Sequence, residues 1–127
     1  MQDAPAYDDV TAEVERFLEA RAQRCLEAGI SHDRIVLDPG FGFGKTVAHN
    51  LELLRNLDRL GAGYPILVGL SRKAMIGRLL GLPVDQRLHA SVALALVAVM
   101  HGAGLVRTHD PGPTREAVRM YECIVSG

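Results

Sequence analysis

Three short apolar runs do most to limit how this chain can fold. Residues 34–37, 66–69 and 105–107 are built on Ile, Val and Leu and show no alternation of polar and apolar side chains. Runs of that kind suit strands covered on both faces, as in a parallel sheet flanked by helices. The intervals between them carry helical periodicity. Val10, Val14, Phe17, Leu18, Cys25 and Leu26 predict one apolar face of a first helix, capped by Asp8 or Asp9 and stopped at Gly29. Val47, Leu51, Leu54 and Leu57 predict a second helix ending at Gly61. A short helix over 74–80 is predicted to stop at Gly81, and a long one to run from Pro83 and Asp85 to about His101. Pro113 suits the first position of a last helix reaching about Ile124. A leading helix is thus followed by three βα units, joined by right-handed crossovers between parallel neighbours.

Three such strands fit part of a doubly wound sheet, or part of a (β/α)8 barrel, which takes roughly 250 residues. The 127 residues here allow at most one domain. A leading helix with no strand before it reads as the C-terminal part of something larger. A net charge of −1 argues against nucleic acid or a membrane surface held through bulk charge. The start is polar and has no apolar signal core, and the longest apolar stretch, 91–100, is half a membrane span. Cys25 and Cys123 lack C-x-x-C spacing and read as buried thiols in a reducing compartment, so the cytoplasm is the expected location.

Chemistry-bearing residues recur where the strands end. The first run stops at Asp38-Pro39, followed by a glycine ladder at Gly40, Gly42 and Gly44 whose backbone can approach a ligand closely. The second is followed by Ser71-Arg72-Lys73, and the third ends in Arg107-Thr108-His109-Asp110. Parallel strands would put all three clusters on one edge, where α/β folds place their chemistry. Asp38 can accept paired N–H donors of a guanidine-like heterocycle, or it can cap the Pro-Gly turn. Arg107 and His109 point the same way in extended chain and suit an anion clamp, unless Arg107 pairs with Asp110. Phe41 and Phe43 can pack under the loop or face a flat substrate. Gly44-Lys45-Thr46 looks like the end of a P-loop, but Pro39 stands where that pattern needs glycine, and the Rossmann glycine spacing is also absent. His32, His49, His89 and His101 have no metal-ligand spacing, and no residue is assigned to a metal. Residues 88–100 are apolar nearly all round, which predicts a helix buried on more than one side, either within its domain or at a subunit interface.

Together, 37–45, 68–73 and 107–110 resemble the dihydropteroate synthase family, a likeness extended by Met1-Gln2 and Pro5-Ala6-Tyr7-Asp8-Asp9-Val10. That resemblance implies the final three βα units of a TIM (β/α)8 barrel, preceded by its fifth helix, with residues 1–127 as the C-terminal part of a pterin-binding domain. It implies transfer of a dihydropterin-methyl group from its pyrophosphate ester to p-aminobenzoate. By the same likeness, Asp38 and Lys73 would contact the pterin, Arg107 and His109 the pyrophosphate, and Phe43 and Ser71 would lie near p-aminobenzoate. Gly42 and Arg72 complete the expected binding set, with Lys73, Arg107 and His109 as the catalytic candidates. Magnesium is implied too, with its ligand in the family's N-terminal half, which this sequence does not contain. Met1 matches an internal position of the family, so little or no activity is expected of the chain alone. The alternatives are a related pterin-binding methyltransferase domain and a non-catalytic remnant or partner subunit. A homodimer or other oligomer through helix 85–101 is expected.

Overall fold

The computed structural model describes residues 9–61 and 63–126. The opening residues that carry part of the resemblance lie outside that range, as does Asp8. Asp9 caps the first helix, α1 (Val10–Glu27), by accepting the Ala12 N–H at 3.0 Å. The helix buries Val10, Val14, Leu18 and Ala22, a row at four-residue spacing, together with Thr11. Phe17 is 63% exposed, against expectation, and Leu26 is exposed as well. Phe17 stands about 100° round the helix from Leu18, outside the row that the rest of the fold covers.

Residues 34–37 form less strand than the sequence predicts. His32–Arg34 close a 3-10 turn, and among the described residues the one ladder contact of this run is the parallel bridge between Leu37 and Ile66. The Leu37 N–H donates to the Pro65 carbonyl at 2.9 Å, and the Leu67 N–H donates to the Leu37 carbonyl at 2.8 Å. Ile35 and Leu37 are buried but Val36 between them is 46% exposed, so this run is covered on one face only. The other two strands form as predicted. Strand β1 (Leu67–Gly69) pairs in parallel with β2 (Leu105–Arg107), in the register Leu67–Leu105, Val68–Val106 and Gly69–Arg107. Leu105 and Arg107 are exposed, so β2 is likewise covered on one face only. The fold is α/β with parallel strand segments.

Helix α2 (Val47–Arg55) ends six residues before Gly61, and a 3-10 turn, Leu57–Leu60, covers the remainder. Leu53, Leu54, Leu57 and Leu60 bury into one core with Leu37, Ile66, Val68 and Leu70 and the α1 row. Helix α3 (Ala74–Leu80) stops at Gly81 as expected. The long helix is α4 (Leu88–Met100), with a separate 3-10 turn at Val84–Gln86 before it. It packs on β2 and on the last helix, α5 (Pro111–Ser126), which starts two residues before Pro113. Pro111 and Pro113 both fit because the first-turn N–H groups of a helix have no intrahelical acceptor. Both cysteines are free. Cys123 is exposed rather than buried, because its stretch of α5 turns to the surface, while Cys25 is half-buried. No helix among the described residues is long and apolar enough to cross a membrane.

Candidate active site

The glycine ladder forms a looped turn because Gly40, Gly42 and Gly44 all take positive φ, at 72°, 87° and 64°. A side chain at any of them would be strained. Side chains from its two flanks hold the loop. The Asn50 amide, almost fully buried in α2, accepts the Gly42 N–H at 2.9 Å and donates to the Thr46 carbonyl at 3.0 Å. The Lys45 amine donates to the Gly40 and Phe43 carbonyls at 2.9 and 3.0 Å. Asp38 Oδ1 accepts the Gly40 N–H at 2.9 Å. The turn-capping role of Asp38 is therefore real, and its Oδ2 remains for a second partner. Thr46 and His49 cap α2 reciprocally, which fixes where the loop ends.

The two phenylalanines divide their work. Phe41 is 2% exposed and packs into the core, whereas Phe43 is 68% exposed. Lys73 reaches across from the end of β1 to both. Its amine donates to the Phe41 carbonyl at 3.1 Å and lies 4.7 Å from the centre of the Phe43 ring, within cation–π range.

Register explains the next contact. Gly69 and Arg107 are direct partners across β1 and β2, so their side chains share a face of the sheet. The Arg107 guanidinium lies where a side chain at position 69 would stand. A Cβ there would come within 2.5 Å of Nη2 and 3.1 Å of Cζ. Gly69→Ala keeps an ordinary strand backbone but displaces the guanidinium. Inorganic pyrophosphate should then bind about tenfold more weakly, the lower end for a charged hydrogen bond, with little change in the unfolding midpoint. Isothermal titration and a thermal melt check both.

His109 is tied to Ser71. The Ser71 hydroxyl accepts the His109 backbone N–H at 3.2 Å and lies 2.9 Å from Nδ1. With the hydroxyl donating to Nδ1, the neutral imidazole carries its proton on Nε2, a donor for an anion. Arg107 does not pair with Asp110. That carboxylate bonds Arg72 instead, at 3.2 Å. Among the described residues the Arg107 guanidinium has no carboxylate partner. Thr108 accepts the Asp110 N–H, and Thr114 donates to the Asp110 carbonyl, which pins this turn to α5.

Two hollows result. One, of about 420 Å³, is lined by Gly69, Ser71, Lys73, Arg107, Thr108 and His109. The other, of about 460 Å³, is lined by Asp38, Pro39, Gly40, Phe43 and Lys45 with Glu13, Val14 and Phe17 of α1. Lys73 stands at the junction, lining the first and lying over the Phe43 ring of the second. A larger hollow of about 880 Å³ lies between α4, β2 and α5 and shares Thr108 with the first. Of the expected site residues, Ser71, Lys73, Arg107 and His109 meet in one hollow and Asp38 and Phe43 in the adjoining one. Gly42 gives its N–H to Asn50, and the Arg72 guanidinium turns to Asp110. Sequence reasoning missed Asn50 and Ser91, both buried, although a polar residue on the covered side of a helix is a legible signal.

Burial holds the Lys73 amine below its ordinary value, nearby Arg107 lowers it further, and Asp38 opposes both. Burial also lowers Lys45, again opposed by Asp38. Below its folded-state value Lys73 is charged in both states, and the penalty for burying the charge is present in full. As pH rises from there to 10.5 the unfolded chain binds the proton more tightly, so this group's contribution to stability increases across that window. An anion bound beside Lys73 would oppose the lowering by supplying negative charge. Side-chain NMR of Lys73 is expected to show a depressed titration that moves up on adding pyrophosphate.

The α/β fold with parallel strand segments thus sets a carboxylate hollow beside a cationic one at its strand ends. The profile of the pterin binding enzyme family matches residues 1–109, and the chain belongs to that family. It is 52% identical over 127 residues to the dihydropteroate synthase of Neisseria meningitidis serogroup C, covering 98% of this chain and 45% of that protein. The Yersinia pestis dihydropteroate synthase structure superposes with a TM-score of 0.95 at 46% identity, covering 100% of this chain and 53% of that one. The Xanthomonas albilineans dihydropteroate synthase in complex with 7,8-dihydropteroate gives a TM-score of 0.95 at 46% identity, over 100% of this chain and 49% of that one. The chain thus spans about half the length of the relatives it matches.

Proposed function

We propose that this chain carries the C-terminal half of a dihydropteroate synthase site, as the last three βα units of a (β/α)8 barrel with the helix before them. The reaction is transfer of a dihydropterin-methyl group from its pyrophosphate ester to p-aminobenzoate. The observation that carries this reading is the gathering of Ser71, Lys73, Arg107 and His109 around one hollow beside the Asp38 carboxylate. In the proposed step the C–O bond to pyrophosphate breaks and its electron pair leaves with the oxygen. Lys73, the Arg107 fork and the His109 Nε2 proton meet the charge that develops there. The neutral arylamine forms the new C–N bond to the methylene and then gives up a proton to solvent. A weak nucleophile of this kind needs positioning more than a strong base. Asp38 Oδ2 suits the amino-pyrimidine edge of the pterin, and Phe43 and Ser71 border p-aminobenzoate.

Magnesium is part of this reading, with its ligand in the family's N-terminal half as the resemblance implies. Among the described residues no group of three His, Cys, Asp or Glu gathers to hold a metal ion. No step above runs through it. The reading also includes a cytoplasmic location and a homodimer through helix 85–101, supported by the exposed apolar Val97 and Met100 on α4. No nucleic-acid or membrane partner belongs to it. The test is pyrophosphate release by the chain mixed with the N-terminal portion of a dihydropteroate synthase. Release that depends on p-aminobenzoate, with little or none from the chain alone, is expected. A mixture that ignores p-aminobenzoate but accepts a methyl group from methyltetrahydrofolate would replace this reading with the methyltransferase one.

A further inference from the structure

Arg72 is the one non-glycine residue with positive φ among the described residues, at 56°. A residue with a Cβ holds that conformation only when its surroundings impose it. Two of its contacts come from the start of α4 and the residue before it. The Arg72 N–H donates to the Ser91 hydroxyl at 2.9 Å, and the Arg72 carbonyl accepts from Arg87 Nη1 at 3.0 Å. The same Nη1 lies 3.4 Å from the Lys73 carbonyl, and Arg87 Nε donates to the Leu82 carbonyl at 2.9 Å. Arg87 thus laces the loop after α3 to the turn that delivers Lys73.

Gly77 explains how the guanidinium fits. It sits inside α3 with ordinary helical backbone, where glycine is a poor choice on conformational grounds. A Cβ at that position would collide with Arg87 Nη2 and come within 3.2 Å of Cζ and 3.3 Å of the Leu82 carbonyl. The glycine opens a notch in the helix that the arginine fills. Arg87 itself lines neither hollow of the site.

We propose that Arg87, seated in the Gly77 notch, is a positioning residue that fixes the Arg72–Lys73 turn and so aims the Lys73 amine at the Phe41 carbonyl and the anion hollow. This rests on the reading that Lys73 serves the ligand. A lysine at 87 keeps the charge but cannot reach three carbonyls with a planar fork, so it should restore the turn only in part.

The experiment compares the full chain with Arg87→Met, Arg87→Lys and Gly77→Ala. It reads Lys73 titration by side-chain NMR, affinity for inorganic pyrophosphate by calorimetry, and thermal unfolding. Expected in Arg87→Met and Gly77→Ala is a Lys73 titration moved up toward that of a solvated lysine, with affinity lowered about tenfold, as for one misplaced charge-assisted hydrogen bond. Arg87→Lys should fall between. A merely structural role would lower the melting temperature and leave the Lys73 titration of the folded protein unchanged, and that result would overturn the proposal. Gly77→Ala retains Arg87 and decides the matter if Arg87→Met does not fold. Should wild type bind no pyrophosphate, the functional reading fails, while the Lys73 titrations still judge the brace.

Discussion

Arg107→Ala should weaken inorganic pyrophosphate binding by at least about tenfold and leave the fold intact. A hydrogen bond to a charged group contributes about 1.5–3 kcal/mol, which spans roughly 10- to 100-fold in affinity. Arg107 is exposed, so solvent screening places the effect toward the lower end. Stability should hold because the guanidinium has no carboxylate partner among the described residues and lies over a glycine rather than in the core. Arg107→Lys keeps the charge but loses the planar fork, so it should recover only part of the affinity. A second readout follows from the charges. Arg107 is one of the groups that lower Lys73, so its removal should move the Lys73 titration upward. Calorimetry and side-chain NMR on the same variant test both statements.

Phe41→Ala is the substitution expected to cost the fold most within the loop. Its ring is almost wholly buried in the core that joins α1, α2 and the strand segments. Truncating a buried phenylalanine costs about 3–5 kcal/mol, from lost transfer energy and the cavity left behind. Against a total of about 5–15 kcal/mol for a domain, that removes a large share. The same change loosens the backbone carbonyl that receives the Lys73 amine, so the site should weaken with the fold. Phe43→Ala is the control two residues away. Its ring is exposed, and it should lose only the contact with Lys73, about 0.5–1 kcal/mol. Urea unfolding of the two variants should separate them clearly.

Most of what places the site could be read from the residues. The strand-end clusters at Asp38, Ser71–Lys73 and Arg107–His109 follow from short apolar runs broken by polar residues, and β1 and β2 pair as that pattern implies. The first run was harder, because burial of Ile35 and Leu37 around an exposed Val36 depends on what lies over the far face, which local sequence does not encode. Phe17 misled for a similar reason, since periodicity marks a possible face but not how wide a face the neighbours cover. Asn50, Ser91 and Arg87 escaped because their value lies in contacts eight, nineteen and fifteen residues away along the chain. No motif ties Arg87 to Gly77. The tie becomes visible only when the guanidinium is seen where a side chain would stand.

Calorimetric titration of the chain with a non-hydrolysable pterin pyrophosphate analogue tests the central claim most directly. One site per chain, lost in Asp38→Ala and in Arg107→Ala while both variants stay folded, is the expected result. Its meaning would be that the two adjoining hollows form a working half-site, with the pterin at the carboxylate and the pyrophosphate at the cations. A folded wild-type chain that takes up none of the analogue would contradict it.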